Sequence, residues 1–307
     1  MGRLLVIGSL NMDQVVRVPH IPVPGETILG DSLHYVGGGK GANQAYTLGR
    51  LGASVAMLGS VGRDEHGDKL LENLSSVGVE VEAVQRLEEV PSGLAIIGVE
   101  DSGNNNIIVV PGANLHTSPD YIQSRREMIG EAQAVIMQLE IPIESVAQAA
   151  ALAREMKKLV ILDPAPATRL PDDLYRNIDI LKPNEIELAH LADMPVTNID
   201  EAEKAARKIL ERGVGTVVVT LGSEGALIVT GASSVYMPVS SAVAAVDTTA
   251  AGDSFTAAMT MMLVEGYSLE QAVEFAGQVA GIVVSRPGAQ SSIPSADEVA
   301  AIKPPLA

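Results

Sequence analysis

The run Val246-Asp247-Thr248-Thr249-Ala250-Ala251-Gly252-Asp253-Ser254-Phe255 sets a string of small residues between two acids. It leads into an apolar stretch, 254–264, with the composition of a buried helix. The first N–H groups of a helix have no partner inside it and lie at the positive end of its dipole. Small side chains allow a ligand to approach that backbone closely. Residues 249–252, with Ala250, Ala251 and Gly252 at their centre, therefore read as a seat for a phosphate or a developing negative charge. Asp253 stands beside the seat, where a carboxylate can take the proton of an attacking hydroxyl. The same residue types also describe a capping aspartate in a small-residue turn. Both readings stand at this point.

Three further stretches carry polar groups suited to a ligand. Asn11 and Asp13 alternate with apolar residues, so in extended chain both point to one side. An amide and a carboxylate so placed can bond adjacent hydroxyls of a polyhydroxyl compound. Gly37-Gly38-Gly39-Lys40-Gly41-Ala42-Asn43 permits close backbone approach, with Lys40 and Asn43 as donors. It is not a Walker loop, because position 34 is His and Lys40 is followed by Gly41; residues 37–42 only half-match a dinucleotide fingerprint. Glu140 closes an apolar strand-like run, at the strand end where site residues of open α/β sheets gather.

The elements that must hold these groups follow from the apolar pattern. Strands are expected at 3–8, 54–59, 134–139, 159–162, 178–181, 216–220, 226–229 and from 234 to 239 and onward. Helices are expected at about 40–51, 65–77, 119–131, 144–157, from Asp200 as cap (with Glu203 at capping-box spacing) to 211, at 254–264, and from Ser268 to about 285. Repeated strand–helix units imply a mainly parallel sheet with helices on both faces. Segments 15–18, 29–36, 93–100 and 106–110 lack following helices, the last two flanking the turn Asp101-Ser102-Gly103-Asn104-Asn105. They predict a small separate sheet, built by about 13–36 and 91–112, able to cover a site as a lid. The 307 residues are read as one large domain, 1–307, bearing this appendage.

Composition narrows the partners. Net charge is -17 and pI about 4.6, which excludes a nucleic-acid partner, since phosphate backbones need a basic footprint. An anionic substrate needs locally placed donors instead. With no cysteine there is no disulfide framework, thiolate nucleophile or cysteine metal site. No secretory signal or membrane-length apolar stretch is present, so a soluble cytoplasmic protein is expected. The five histidines are scattered without metal-ligand spacing, and Met259, Met261 and Met262 read as core packing.

Taken together, Asn11-Met12-Asp13, the segment from Gly38 to Asn43, Asn184-x-x-Glu187 and the segment from Asp247 to Asp253 resemble the phosphofructokinase-B type sugar kinases, over nearly the whole chain. Gly8-Ser9-Leu10-Asn11, the loop from Gly38 to Asn43, Asp163-Pro164-Ala165-Pro166-Ala167 and Gly288-Ala289-Gln290 most resemble the ribose-phosphorylating branch of that family. The resemblance implies a three-layer α/β domain with a mainly parallel central sheet, helices on both faces and a small β-sheet lid. It implies ATP-dependent phosphorylation of the 5-hydroxyl of D-ribose. Asp253 would be the base, and the amides of Ala250, Ala251 and Gly252 the anion hole. Asn11, Asp13, Gly39, Lys40, Asn43 and Glu140, with Asp253, would hold the sugar. Asn184, Thr220, Gly222, Ser223, Gly225, Gly252 and Gly277 would lie along ATP. Glu187 would act on Mg2+ through water. Asp247, Thr249, Val283, Arg286, Gly288 and Ser292 would surround an activating K+. The lid would pair two subunits into a homodimer.

Three positions qualify the expectation. Gly277 stands where such kinases often place Asn or His near the adenine, so base contact falls to neighbours such as Val279 or to backbone. Asp163 replaces an Asn often seen before Pro-Ala-Pro. Deoxyribose-phosphorylating relatives carry an apolar residue where Asn11 stands, and an amide there favours ribose through its 2-hydroxyl. Another acceptor on the same fold (deoxyribose, a hexose or a nucleoside), a sugar sensor without turnover, and a dehydrogenase resting on the Gly37 half-match are the alternatives.

Overall fold

A strand that is apolar on both faces needs a cover on each side. In β1 (Leu4–Ile7), Leu5 and Ile7 join one buried cluster, while Leu4 and Val6 join another. The computed structural model, which describes residues 2–100, 104–239 and 243–304, supplies both covers. After β1 come β2 (Asn11–Val18), β3 (Ser32–Gly38), α1 (Lys40–Arg50), β4 (Val55–Gly62), α2 (Glu65–Ser76), β5 (Glu80–Leu87), β6 (Gly93–Glu100) and β7 (Asn105–Val110). The middle of the chain forms α3 (Pro119–Ser124), α4 (Arg126–Glu131), β8 (Ala134–Met137), α5 (Ile143–Glu155), β9 (Leu159–Leu162), α6 (Asp172–Tyr175), β10 (Ile180–Leu181), α7 (Glu185–Ala192) and α8 (Ile199–Leu210). The last third forms β11 (Thr216–Thr220), β12 (Gly225–Thr230), β13 (Ser234–Pro238), α9 (Ala251–Val264), α10 (Leu269–Val284) and α11 (Ala296–Val299).

The large sheet has the order β13-β12-β11-β10-β9-β8-β1-β4-β5. All its pairings are parallel except those of β12 with its two neighbours. One apolar cluster packs α3 to α8 on one face, and the other packs α1, α2 and α9 to α11 on the opposite face. The chain builds outward from β1 through β4 and β5 on one side, and from β8 through β9 to β11 on the other. The crevice beyond the carboxyl ends of β1 and β8 is thus the switch point, where ligands of such sheets bind.

The second sheet has the order β3-β2-β6-β7, with β2 and β6 parallel and the other pairs antiparallel. Its root sits on the crevice: Asn11 lies between Gly38 on β3 and Gly93 on β6. Away from the root it exposes Leu33, Tyr35, Val36, Ile96, Ile107, Ile108, Val109 and Val110. Tyr35 stacks on His66 of α2, ring centroids 5.6 Å apart. No helix among the described residues is long and apolar enough to cross a membrane.

Several elements depart from the pattern-based reading. Strand β5 was not expected; it is an edge strand whose Glu80 and Glu82 dilute the apolar signal. Helix α7 is absent from the expected pattern because it is only eight residues long and its first turn, Glu185 to Glu187 after the Asn184 cap, is mostly acidic. The expected helix 119–131 is broken into α3 and α4 at Arg125 (φ -107, ψ 17). The cap of α8 is Asn198, whose side chain accepts from the Glu201 N–H, not Asp200; Glu203 instead pairs with Arg207 one turn on. Helix α9 begins at Ala251 rather than Ser254, which draws Asp253 inside its first turn. The tip Asp101-Ser102-Gly103 of the β6–β7 turn lies outside the described residues, as do residues 240–242; β13 ends at Pro238, and the chain from 243 to 246 is not strand, so the expected strand from 234 does not run on.

Candidate active site

Ala250 holds φ 62 and ψ 4, the left-handed region, and α9 starts at the next residue with no side-chain cap. A residue with a Cβ pays roughly 1–2 kcal/mol there. Such a conformation persists only where its surroundings enforce it. The Ala251 N–H bonds the Thr248 carbonyl at 3.3 Å, and among the described residues the amides of Gly252 and Asp253 take no partner. Asp253, third in the helix, does not cap it, so the capping reading falls.

Instead the Asp253 carboxylate is buried against α1. Asn43 Nδ2 donates to its Oδ2 at 2.9 Å, and Gln44 Nε2 lies 3.5 Å from its Oδ1. Burial pushes its pKa up; the Lys40 ammonium opposes this, while Asp163 adds to it. Gln44 also donates to Asp163 Oδ2 at 3.1 Å and accepts from Gln138 Nε2 at 2.6 Å.

The polyhydroxyl-binding candidates converge on the same crevice. Asn11 Oδ1 accepts from Asn114 Nδ2 at 2.8 Å, and Asn114 is itself pinned to the backbone of Leu10. That arrangement turns the Asn11 amide so that its N–H groups are the ones left to offer. A Cβ on Gly39 (φ 87) would meet the Asn11 backbone nitrogen at 2.7 Å, and one on Gly93 would strike Asn11 Oδ1 at 2.2 Å. Asp13 packs over Gly38, and burial, with the Glu140 and Asp253 carboxylates, raises its pKa to about 7. Glu140 accepts from Ser9 Oγ at 2.5 Å and from the Lys40 N–H at 3.1 Å, so it also serves the first turn of α1. Burial alone would lower the pKa of Lys40, but Asp253, Asp163, Glu140 and Glu187 together hold it above the usual lysine range.

Below the seat lies a pair that sequence reasoning missed. Lys182 Nζ sits 3.0 Å from Asp163 Oδ2 with both side chains almost wholly buried, and it donates to the Gly252 carbonyl at 3.4 Å. Thr256 Oγ1 also donates to Asp163 Oδ2 at 3.1 Å. The Asp in place of the common Asn thus carries the countercharge of a lysine wedged under α9. Asp163 Oδ1 is buried without a partner. Gln44 and Asn114 go unmarked as well, their only sequence signal being a polar residue amid an otherwise buried pattern, and Gln290 enters only within the segment Gly288-Ala289-Gln290, with no role of its own.

The expected nucleotide residues form a second, shallower group. Asn184 caps α7, accepting from the Glu187 N–H, while the Glu187 carboxylate accepts from the Asn184 N–H, both at 2.8 Å. Asn184 bridges to Thr220, so the two lie side by side at the ends of β10 and β11. Burial, then Asp163, raises the Glu187 pKa, against the pull of Lys182. Gly222 (φ 54) and Gly225 (φ 119) shape the turn around Ser223; a Cβ on Gly225 would strike the Met237 carbonyl at 2.1 Å. Gly277 faces open space. Val279 cannot face a base there, because two residues along α10 turn it into the core, where it is fully buried. A Cβ on Gly281, on the Gly277 side, would instead lie 3.8 Å from the Val243 side chain.

The third group surrounds Asp247. Its carboxylate accepts from Thr249 N–H (2.9 Å), Thr249 Oγ1 (2.6 Å) and Gly288 N–H (2.9 Å). These bonds outweigh burial and keep its pKa below the usual carboxylate range. The Val246 N–H bonds the Val284 carbonyl at 2.7 Å, which draws Asp247 and Thr249 to the end of α10 beside Val283. The Arg286 guanidinium turns away to Glu298, and Ser292 Oγ donates to the Ala289 carbonyl.

Residues 1–296 match the family described as pfkB family carbohydrate kinase. The chain is 40% identical over 309 residues to the ribokinase of Schizosaccharomyces pombe, covering 97% of each chain. It is 36% identical over 296 residues to the deoxyribokinase of Salmonella typhi, covering 96% of each. Its fold superposes on the structure of Arabidopsis thaliana ribokinase complexed with ribose and ATP with a TM-score of 0.91, at 35% identity, covering 98% of this chain and 99% of that one.

Proposed function

Because the chain belongs to the pfkB family of carbohydrate kinases, we propose that it phosphorylates the 5-hydroxyl of D-ribose with ATP, giving D-ribose 5-phosphate and ADP. The observation that carries this reading is the buried Asp253 carboxylate set beside an uncapped helix start and facing the crevice of Asn11, Asp13 and Asn43.

The roles follow from the groups present. Asn11 donates to ribose hydroxyls and Asp13 accepts from them, while Asn43, Gly39, Lys40 and Glu140 line the rest of the sugar site. Asp253 accepts the proton of the 5-hydroxyl as that oxygen bonds the γ-phosphorus and the bond to the departing ADP oxygen breaks. Its carboxylate needs no high pKa in the complex, because the proton moves only as the bond forms. Of the expected anion-hole amides, those of Ala250 and Gly252 are free, among the described residues, to face the charge on the transferring group, while the Ala251 N–H holds the Thr248 carbonyl at 3.3 Å. The ATP lies along Asn184, Thr220, Gly222, Ser223, Gly225 and Gly277.

Around the reacting centre Asp13, Glu140, Asp163, Glu187 and Asp253 outnumber Lys40 and Lys182, so a polyphosphate needs an accompanying cation. No cluster of three acidic or histidine ligands occurs among the described residues. The unpartnered Asp163 Oδ1 and the buried Glu187 fit Mg2+ that takes most ligands from phosphate and water, with Glu187 acting through water. When bound, the ion neutralises phosphate charge. A monovalent cation, K+, fits the ionised Asp247 with Thr249, Ser292 and the backbone of Val283, Arg286 and Gly288. The exposed apolar side chains of the small sheet support a homodimer through the lid. A cytoplasmic setting, where ATP is at hand, goes with this reading.

The test is ADP release from ATP and Mg2+ with D-ribose or 2-deoxyribose, each with K+ or Na+. Fast release with ribose and K+ is expected. Preference for 2-deoxyribose would move the acceptor, and saturable ribose binding without release would replace catalysis by sensing.

A further inference from the structure

We propose that Gln290 is a positioning residue for phosphoryl transfer: it fixes which end of the Asn43 amide faces Asp253. The inference rests on Asp253 being the base. Four groups from four elements form one chain. Asn43 Nδ2 of α1 donates to Asp253 Oδ2 of α9 at 2.9 Å. Gln290 Nε2, on the 3-10 turn Gln290–Ser292, donates to Asn43 Oδ1 at 3.0 Å. Asn73 Nδ2, on α2, donates to Gln290 Oε1. A Cβ on Gly37 would lie 3.0 Å from both Asn73 Nδ2 and Gln290 Oε1, so the bare backbone at the foot of β3 leaves this link its room.

The order of donors along the chain is not arbitrary. An ionised carboxylate only accepts, so Asn43 must offer it nitrogen. The Asn43 oxygen then needs a donor, and Gln290 must offer nitrogen in turn. The Gln290 oxygen is left to accept from Asn73. Reversing Asn43 or Gln290 sets oxygen against oxygen or N–H against N–H at both its ends, and reversing Asn73 sets oxygen against oxygen at its one link. Gln290 and Asn43 are both buried, so water cannot repair such a mismatch, whereas Asn73 is half-buried on the outer side. Without the Gln290 donor, the Asn43 oxygen is buried without a partner and only the bond to Asp253 holds the amide. An amide so loosely held gives the carboxylate a weaker donor and the sugar a less ordered neighbour.

The experiment compares Gln290→Met, Gln290→Glu, Asn73→Asp, Asn73→Ser and Asp253→Asn by ADP release with D-ribose across pH, with folding checked by thermal melting. Gln290→Met, which keeps length and volume, is expected to lower kcat about tenfold with little change in the ribose KM, the size of one lost hydrogen bond to a charged group. The acid limb of its kcat profile moves to higher pH. Gln290→Glu falls further, because a carboxylate there accepts from Asn43 nitrogen and aims the Asn43 oxygen at Asp253. Asn73→Asp, far from the sugar, lowers kcat severalfold by reversing the chain from its outer end, while Asn73→Ser does less. Folded Gln290→Met and Gln290→Glu proteins with unchanged kcat and an unmoved acid limb overturn the inference. If neither folds, equal rates for Asn73→Asp and Asn73→Ser overturn it. Activity retained by Asp253→Asn sinks the base assignment itself; an inactive Asp253→Asn beside a fully active Gln290→Glu sinks only the role of Gln290.

Discussion

The two sides of Asp253 are built differently. On the acceptor side, Asn11 is locked by Asn114, Asn43 by Gln290 and Gln44 by Gln138, all buried. On the side proposed for the nucleotide, Gly222, Ser223 and Gly277 are exposed, and ATP there would meet mainly backbone, helix starts and glycine. On that proposal one half would select by side-chain identity held in fixed orientation, and the other would accept by shape and backbone dipoles. Changes on the acceptor side should therefore alter stability and selectivity steeply, and changes on the nucleotide side should be mild.

The largest effect is expected under the seat. Lys182→Met leaves the Asp163 charge buried without its partner, at a cost of about 3–5 kcal/mol, read as a fall in melting temperature. Adding Asp163→Asn removes that charge and should recover more than half the loss; no recovery would mean that Lys182 acts by packing alone. Next, Asn11→Met should lower kcat/KM for D-ribose on the order of 10–100-fold and leave 2-deoxyribose nearly unchanged, since only ribose loses its 2-hydroxyl partner. Equal losses for both sugars would remove Asn11 from selectivity.

A pH effect sharpens the contrast. The Asp13 pKa is raised from 3.8 to about 7 in the unliganded fold. Between these values the folded protein keeps a proton that the unfolded chain has lost, so Asp13 favours folding less as pH rises through that window. Asp13→Asn should flatten this slope in a melting series. A ribose hydroxyl donating to Asp13 prefers the ionised form, so the ribose KM should fall as pH rises toward about 7 and then level off. The smallest effect belongs to the nucleotide side: Gly277→Asn enters open space and should change the ATP KM less than about threefold.

How much of this could be read in the sequence follows the same division. The strand–helix alternation, the separate sheet and the glycine loop were legible because period and punctuation carry them. Asp253, Asn11, Asp13 and Asn43 stand out as candidates in the sequence because each lies in a local run of chemistry-bearing residues, and the fold brings them to one crevice. Lys182 with Asp163, and Gln290 with Asn43 and Asn73, are pairs made only by folding, and no spacing links them. Val279 does not share the face of Gly277, because two residues along α10 turn a side chain to the other side, and proximity in sequence does not show this. The expected cap Asp200 lies two residues past the observed cap Asn198, since both offer capping chemistry and only backbone geometry chooses between them.

The central claim is that Asp253 takes the proton of the sugar hydroxyl. It is tested most directly by ADP release and D-ribose 5-phosphate formation in Asp253→Asn, an isosteric change that keeps the site's shape. The account predicts a loss of 10²–10⁴-fold or more in kcat, about the range for a general base, with ribose still bound and the melting temperature held or raised as a buried charge is removed. A folded Asp253→Asn protein turning over at near the wild-type rate would contradict it.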